Sequence, residues 1–252
     1  MEYRKLISPE FRISLENYEL SDGIEVECFS SLESKADWCK VELTTQLQGK
    51  ILFNDMEQAT VELGYDGDYD ILIPGYVRKI RKDYWKEIFI KDDMIKLERV
   101  EIKASFEKCE PQDIIKYILC QAGIERYTLS EEKYGKKDIF IVNKQNGIKA
   151  IMEINSAWGI SNDFFFQNRT FYWGTRPEQE YVYVLEENLN ILSLKKYGEL
   201  WEIETFGVPW IHHSNQIEVV HSKIAGDFIV DKTIVKSDSS GRTRMYIYFK
   251  GG

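Results

Sequence analysis
The chain's three histidines, His212, His213 and His221, all fall in one short stretch near the C-terminal end. Three imidazoles this close in sequence could hold a zinc ion, which favours nitrogen ligands. Alternation argues against it. Adjacent residues of a strand point to opposite faces, so His212 and His213 cannot easily share one ion. No acidic base stands at the spacing of a helical zinc-protease motif. The expectation is solvent-facing strand or loop histidines, with a metal-dependent enzyme through His212, His213 and His221 as an alternative.

Other chemistry is weaker still. There is no Gly-x-Ser-x-Gly elbow, no glycine-rich phosphate loop, and no Cys with a partner His in a recognisable setting. Asp66, Asp68 and Asp70 have the spacing of three calcium ligands. The glycine and the distant Glu of an EF-hand are absent, and the context is a hairpin, so a solvated turn is expected. Cys28, Cys39, Cys109 and Cys120 lack paired metal spacing and read as small, reduced core residues, with a disulfide or metal role as the alternative. The aromatic run Trp158, Phe164, Phe165, Phe166, Phe171, Tyr172 and Trp173 could form a sugar-stacking platform. The competing reading is a small core with cross-strand pairs.

The elements that carry these residues are organised around Ala59–Ile80. Ala59, Val61, Leu63 and Tyr65 alternate with polar or small neighbours, the mark of a half-buried strand. Asp66-Gly67 is a hairpin signal, and Ile71–Ile80 is the return strand. Pro74-Gly75 marks it as kinked or at an edge. Further strands are expected at Phe11–Leu15, Ile24–Phe29, Asp37–Thr45, Gly49–Phe53, Tyr84–Ile90 and Ile95–Ala104. Near residue 105 the texture changes. Glu110-Pro111-Gln112-Asp113 opens a helix whose stripe is Ile114, Ile115, Ile118, Leu119 and Ala122, stopped at Gly123. Glu125–Lys137 reads as loop and Asp138–Asn143 as strand. Asn146-Gly147 caps a second helix, Ile148–Trp158, which places Trp158 in the core. A hairpin follows over Gln167-Asn168-Arg169. The last part returns to strands at Tyr181–Leu185, Asn190–Leu194, Leu200–Phe206, Ile217–His221, Phe228–Lys236 and Arg242–Phe249.

The bulk numbers fit a globular chain. Of 252 residues, 43% are hydrophobic and 13% aromatic, and aromatics favour strands. The net charge of −9 argues against a duplex-binding surface. No apolar run approaches the ~18–20 residues of a membrane span, and the N-terminus lacks a signal-peptide core. The expectation is synthesis and folding in the cytoplasm, with no membrane association.

Three pieces together resemble a known family. One is Asp-Trp-Cys-Lys-Val-Glu-Leu at 37–43, with the strand ending Ile-Pro-Gly-Tyr-Val-Arg-Lys-Ile at 73–80. Another is the middle unit: the helix at 110–124, Ala-Trp-Gly-Ile at 157–160, and Phe-Tyr-Trp-Gly at 171–174. The last is the tail: Val-Pro-Trp-Ile at 208–211, Ile-Glu-Val-Val-His at 217–221 and the strand at 226–235. Their order resembles the baseplate hub proteins of phage tails and contractile injection systems, the late-control protein D and VgrG-head group.

The resemblance implies a mainly β fold with an α+β insert. Two tube-like antiparallel β-barrels, 1–104 and 177–252, would flank an α+β domain at 105–176. It implies a structural hub in a virion tail, tailocin or injection particle. That hub is a homotrimeric, pseudo-sixfold ring joining a hexameric tail tube to a trimeric spike. The implied partners are the tube and spike proteins, with a tape-measure protein as a further candidate, and DNA or cargo as passing content of the channel. The family supplies no catalytic, cofactor-binding or metal residue to carry over, so no enzyme and no cofactor is expected. A carbohydrate- or receptor-binding tail module using the aromatic hairpin 163–173 is the other alternative.

Overall fold
The computed structural model describes residues 8–78, 86–144, 146–238 and 241–251. Seven strands come first: β1 Pro9–Leu15, β2 Glu19–Leu20, β3 Ile24–Ser31, β4 Trp38–Leu43, β5 Gln58–Tyr65, β6 Asp68–Val77 and β7 Glu87–Lys91. Their alternation places one set of side chains inside. On β1 these are Phe11, Ile13 and Leu15, and on β5 Ala59, Val61 and Leu63.

The central hairpin forms as its sequence dictates. Asp66 and Gly67 both take positive φ, 53° and 87°, which the strand-matched two-residue turn requires. β6 is not an edge strand, because it pairs with β5 on one side and with β7 at Tyr76 and Val77 on the other. Its register slips where Val61 faces Ile73 and Glu62 faces Ile71, leaving Leu72 as the extra residue. Gly75 has a different reason. A Cβ there would lie 2.0 Å from the Lys91 carbonyl oxygen, so only glycine lets β7 approach. The expected strand ends at Lys79–Ile80 and Tyr84–Trp85 lie outside the described residues. The expected strand at Gly49–Phe53 does not form; this stretch is loop, though Ile51 and Phe53 are buried.

Next come α1 Met94–Arg99, β8 Ile102–Cys109, α2 Pro111–Gln121, β9 Tyr127–Leu129, β10 Lys137–Lys144, α3 Gly147–Trp158, β11 Phe164–Gln167 and β12 Thr170–Trp173. Ile95–Ala104 was expected to be one strand, and the structure corrects this. Its first half is α1, which buries Met94, Ile95 and Leu97 and carries Lys96 and Arg99 in its last turn. Cations there complement the carbonyl end of the helix. α2 begins with Pro111 in its first turn, and the Asp113 carboxylate accepts from the Glu110 backbone N–H at 3.2 Å. In α3 the Asn146 side chain accepts from Lys149 N, and Gly159 closes the helix at φ 65°. The loop expected at Glu125–Lys137 contains β9, which pairs in parallel with β12.

Six strands complete the chain: β13 Tyr183–Glu186, β14 Ser193–Tyr197, β15 Leu200–Thr205, β16 Gln216–His221, β17 Ile224–Ser237 and β18 Thr243–Lys250. The chain folds as two compact units, one joining Met1–Asp92 with Glu178–Gly252, the other Asp93–Pro177.

In the first unit, no sheet closes into a barrel among the described residues. The strands lie in an open path, β14-β15-β18-β17-β3-β4-β7-β6-β5-β1-β2, with β13 and β16 branching from β17. The two tube-like antiparallel β-barrels expected from the sequence are therefore corrected to one open, branched sheet shared by both chain segments. The reason is β17. Over 14 residues its first half pairs with β16 and its second half with both β18 and β3. Each segment thus completes its ladder on the other instead of on itself. The core runs through the junction, from Phe11, Val26 and Val61 to Ile203, Met245 and Phe249. Burying each such side chain contributes about 1.5–3 kcal/mol.

In the second unit, β8 pairs with β10, and β11-β12-β9 form a separate sheet. α3 packs on α1, α2 and β10.

Candidate functional site
The loop between β15 and β16 carries His213 into a buried polar cluster, with the half-buried His212 next to it. Gly207-Val208-Pro209 breaks the sheet, and Ser214 turns the chain at φ 69°. His213 is only 2% exposed. Its Nδ1 lies 3.0 Å from Ser214 Oγ and its Nε2 lies 3.6 Å from Asp37 Oδ1. Asp37 comes from the turn before β4. Its Oδ1 accepts from Ser31 N at 3.1 Å, and its own N–H donates to Asp92 Oδ2 at 3.1 Å. The cluster therefore ties together the β3–β4 turn, the end of β7 and the β15–β16 loop.

Charge is unfavourable there. Burial pushes the Asp37 carboxyl up to about 6, against the favourable bond from Ser30 and the nearby His212. Desolvation likewise pushes His212 down to about 4. The order Asp37–His213–Ser214 looks like a nucleophile triad, but Ser214 is 6% exposed and His213 is its immediate neighbour. A substrate carbonyl has no approach to a hydroxyl so enclosed. The cluster is cross-linking polar structure, in which Asp37 is held by Ser31 and Asp92 and lies beside His213 of the distant loop.

The solvent-facing reading of the histidines is thus corrected for His213. Strand alternation does not apply there, because His213 lies in the turn before β16, and another part of the chain, the turn bearing Asp37, covers it. His221 ends β16 elsewhere in the fold. Its Nδ1 accepts from Lys223 N at 3.0 Å and its Nε2 lies 3.5 Å from Glu187 Oε1. Glu187 also accepts from Ser222 N at 2.8 Å, and these bonds hold its carboxyl below the usual range. Among the described residues, no group of three or more His, Cys, Asp or Glu side chains could hold a metal ion.

The acidic triplet does not converge. Asp66 sits in the turn, and Asp70 accepts from the Trp210 indole N–H at 2.8 Å. The aromatic run is core rather than platform. Phe164, Phe165, Phe166, Phe171 and Trp173 are all at most 3% exposed. Trp173 donates to Asn155 Oδ1 at 2.9 Å. Trp158, expected in the core, is only half-buried. It stands edge-on to Phe140 at 4.9 Å and donates to the Gly135 carbonyl. Of the cysteines, Cys28, Cys39 and Cys109 are buried as expected, whereas Cys120 is exposed.

No family model and no curated protein matches the sequence. Solved structures do match the fold. The 43 kDa tail protein of prophage MuSo2 from Shewanella oneidensis superposes with TM-score 0.73 at 10% identity, covering 96% of this chain and 98% of that one. A tail protein from Neisseria meningitidis MC58 gives TM-score 0.73 at 13% identity, covering 97% of each chain. The c3393 protein of E. coli is described as a type VI secretion component with structural similarity to the T4 tail proteins gp27 and gp5. It gives TM-score 0.70 at 10% identity, over 95% of this chain and 76% of that one. The chain therefore has the fold of these phage-tail and secretion-system proteins, from end to end.

Proposed function
We propose that this chain is a structural hub of a phage tail, tailocin or related injection machine. The observation that carries the reading is the end-to-end superposition on two tail proteins, with nearly all of both chains matched. A structural role also fits the polar groups. The buried ones bind one another across chain segments, and the histidines do not gather at one point.

In this reading three copies form a pseudo-sixfold ring that joins a hexameric tail tube to a trimeric spike. Each copy offers two sections of open sheet, β1–β7 and β13–β18, so three copies supply six. Open edge strands such as β14 favour association, because unpaired backbone groups seek partners. Tube and spike proteins are the partners, a tape-measure protein is a further one, and DNA or cargo only passes through. The assembled particle is the working location.

The test is electron microscopy of particles made by co-expressing the chain with its tube and spike proteins. Three copies per ring between tube and spike is the expected result. A ring of six copies, or a particle that lacks the chain, overturns the proposal.

A further inference from the structure
Cys28 on β3 and Cys39 on β4 are direct partners in the antiparallel ladder. Their sulfurs lie 3.0 Å apart, within touching distance, in a site where the two residues are 3% and 0% exposed. Directly opposed residues of antiparallel strands have Cα atoms roughly 4.5 or 5.5 Å apart, and both values fall inside the window of about 4.4–6.8 Å that a disulfide needs. The backbone is therefore already placed for a bond, and only the two hydrogens stand in the way. Beside its partner sulfur, Cys39 Sγ has a weak contact to the Lys40 carbonyl at 3.9 Å. Neither Cys109 nor Cys120 joins the pair: Cys109 Sγ contacts the Lys137 carbonyl, and Cys120 is exposed on α2.

The rung on which they sit matters. Across the sheet it reads Val235, Cys28, Cys39 and Ile90, on β17, β3, β4 and β7 in turn. β3 is the strand of the N-terminal segment onto which the C-terminal segment adds. A bond from Cys28 to Cys39 would fasten that receiving strand to its neighbour.

We propose that Cys28 and Cys39 are a modification site: a cross-strand disulfide that forms when the chain meets a small-molecule disulfide, such as oxidised glutathione. One cysteine thiolate attacks a sulfur of the small disulfide, giving a mixed disulfide and releasing one small thiol. The second cysteine, as thiolate, attacks the protein sulfur of that mixed disulfide, closing the Cys28–Cys39 bond and releasing the other small thiol. The protein loses two protons and two electrons, and the small disulfide is reduced to two thiols. Burial raises the Cys28 thiol well above its ordinary range, so the folded sheet holds little thiolate. The first attack therefore belongs to an opened β3–β4 pair or to a chain still folding. Once closed, the bond is shielded from reductants by the same burial.

The test uses the purified full chain in buffers of graded oxidised and reduced glutathione, with and without sub-denaturing urea. Samples are acid-quenched, alkylated after unfolding and mapped by mass spectrometry. The expected product is a linked peptide pair containing Cys28 and Cys39, two mass units lighter than its reduced parts. It should form at least several-fold faster when urea opens the sheet. The oxidised protein should melt several degrees above the reduced one, a difference absent from the Cys28→Ala/Cys39→Ala variant. The peptide map needs no variant, so a poorly folding substitution does not blunt the test. Recovery of Cys28 and Cys39 as free thiols throughout, as stable mixed disulfides with glutathione, or linked to Cys109 or Cys120 would overturn the proposal.

Discussion
Trp210 reaches Asp70: the indole Nε1 donates to the carboxylate Oδ2 at 2.8 Å, bridging the loop before β16 and the start of β6. Close by, the Tyr65 hydroxyl donates to the buried Gly207 carbonyl. Two bonds thus pin the central hairpin to the C-terminal loop. Trp210→Phe keeps an aromatic ring on the side chain that stacks with Tyr183 at 6.5 Å, and removes the indole N–H together with one fused ring. Asp70 is half-exposed and can turn to water, so the expected cost is about 1 kcal/mol, read by urea unfolding of the two proteins.

Truncating the tryptophans of the α+β unit should separate them. Trp173→Ala empties a site that is 0% exposed and strands Asn155, for an expected cost of about 3–5 kcal/mol. Trp158→Ala removes a half-buried ring and should cost about half as much. Equal losses in chemical denaturation would mean that the two sites are equally enclosed, against the structure.

Gly75 tests the strand approach. With a methyl group 2.0 Å from the Lys91 carbonyl, Gly75→Ala must push β7 off β6. The expected cost is above about 3 kcal/mol, the range of severe backbone conflicts. Gly67→Ala, in open space but at φ 87°, should cost only about 1 kcal/mol. Hydrogen exchange at Arg78, whose N–H donates to the Phe89 carbonyl on β7 at 2.7 Å, should quicken in the first variant and not in the second.

The buried polar cluster predicts opposed pH effects. Asp37 is raised to about 6 in the folded chain, chiefly by burial. Its contribution is fully present below its unfolded pKa of about 3.9 and is lost as pH rises through about 6. His212 is depressed to about 4, again chiefly by desolvation. Its contribution is fully present above about 6.5 and is lost as pH falls through about 4. Between those limits the two slopes oppose each other. Relative to wild type, Asp37→Asn should gain stability as pH rises from 4 to 6, and His212→Gln should lose it. Melting temperatures across that range check both signs. Difference profiles that tilt the same way would contradict the assignment.

The charge distribution yields an electrostatic expectation for the proposed ring. Asp93–Pro177 carries 13 Lys and Arg against 12 Asp and Glu, a net of +1, so the remaining sequence carries −10 of the total −9. A polyanion slides past an acidic or neutral wall and sticks to a basic one. The channel wall of assembled rings should be lined by the first unit and show Asp and Glu in excess. A lumen dominated by Lys and Arg would contradict this.

What the sequence discloses depends on how far away the cause lies. The hairpin at Asp66-Gly67 and the cap residues Asn146 and Gly159 are local, so they are legible. α1 is not, because Ile95 and Leu97 alternate with Lys96 and Glu98 for too few residues to separate the two periods. β9 exists because β12 lies beside it, and Tyr127–Leu129 alone carries no strand signal. The barrels failed for the same reason at larger scale: alternation tells which face of β17 is buried, not that its partners are β16, β18 and β3. His213 was misplaced because burial by a distant turn, here the one bearing Asp37, leaves no mark on neighbouring residues. The Cys28–Cys39 contact needed the β3–β4 register, which Cys spacing alone does not supply.

The β3–β17 junction also orders events in time. Val26 N donates to Ser237 Oγ across 211 positions of sequence. That pairing must wait until the chain through residue 237 has left the ribosome, while residues 93–177 can collapse earlier on contacts of their own. During synthesis β3 waits with a bare edge, open to a neighbouring nascent chain. Release of a truncated product before β17 appears should therefore yield aggregates rather than a folded half, and chaperone demand should peak in that interval.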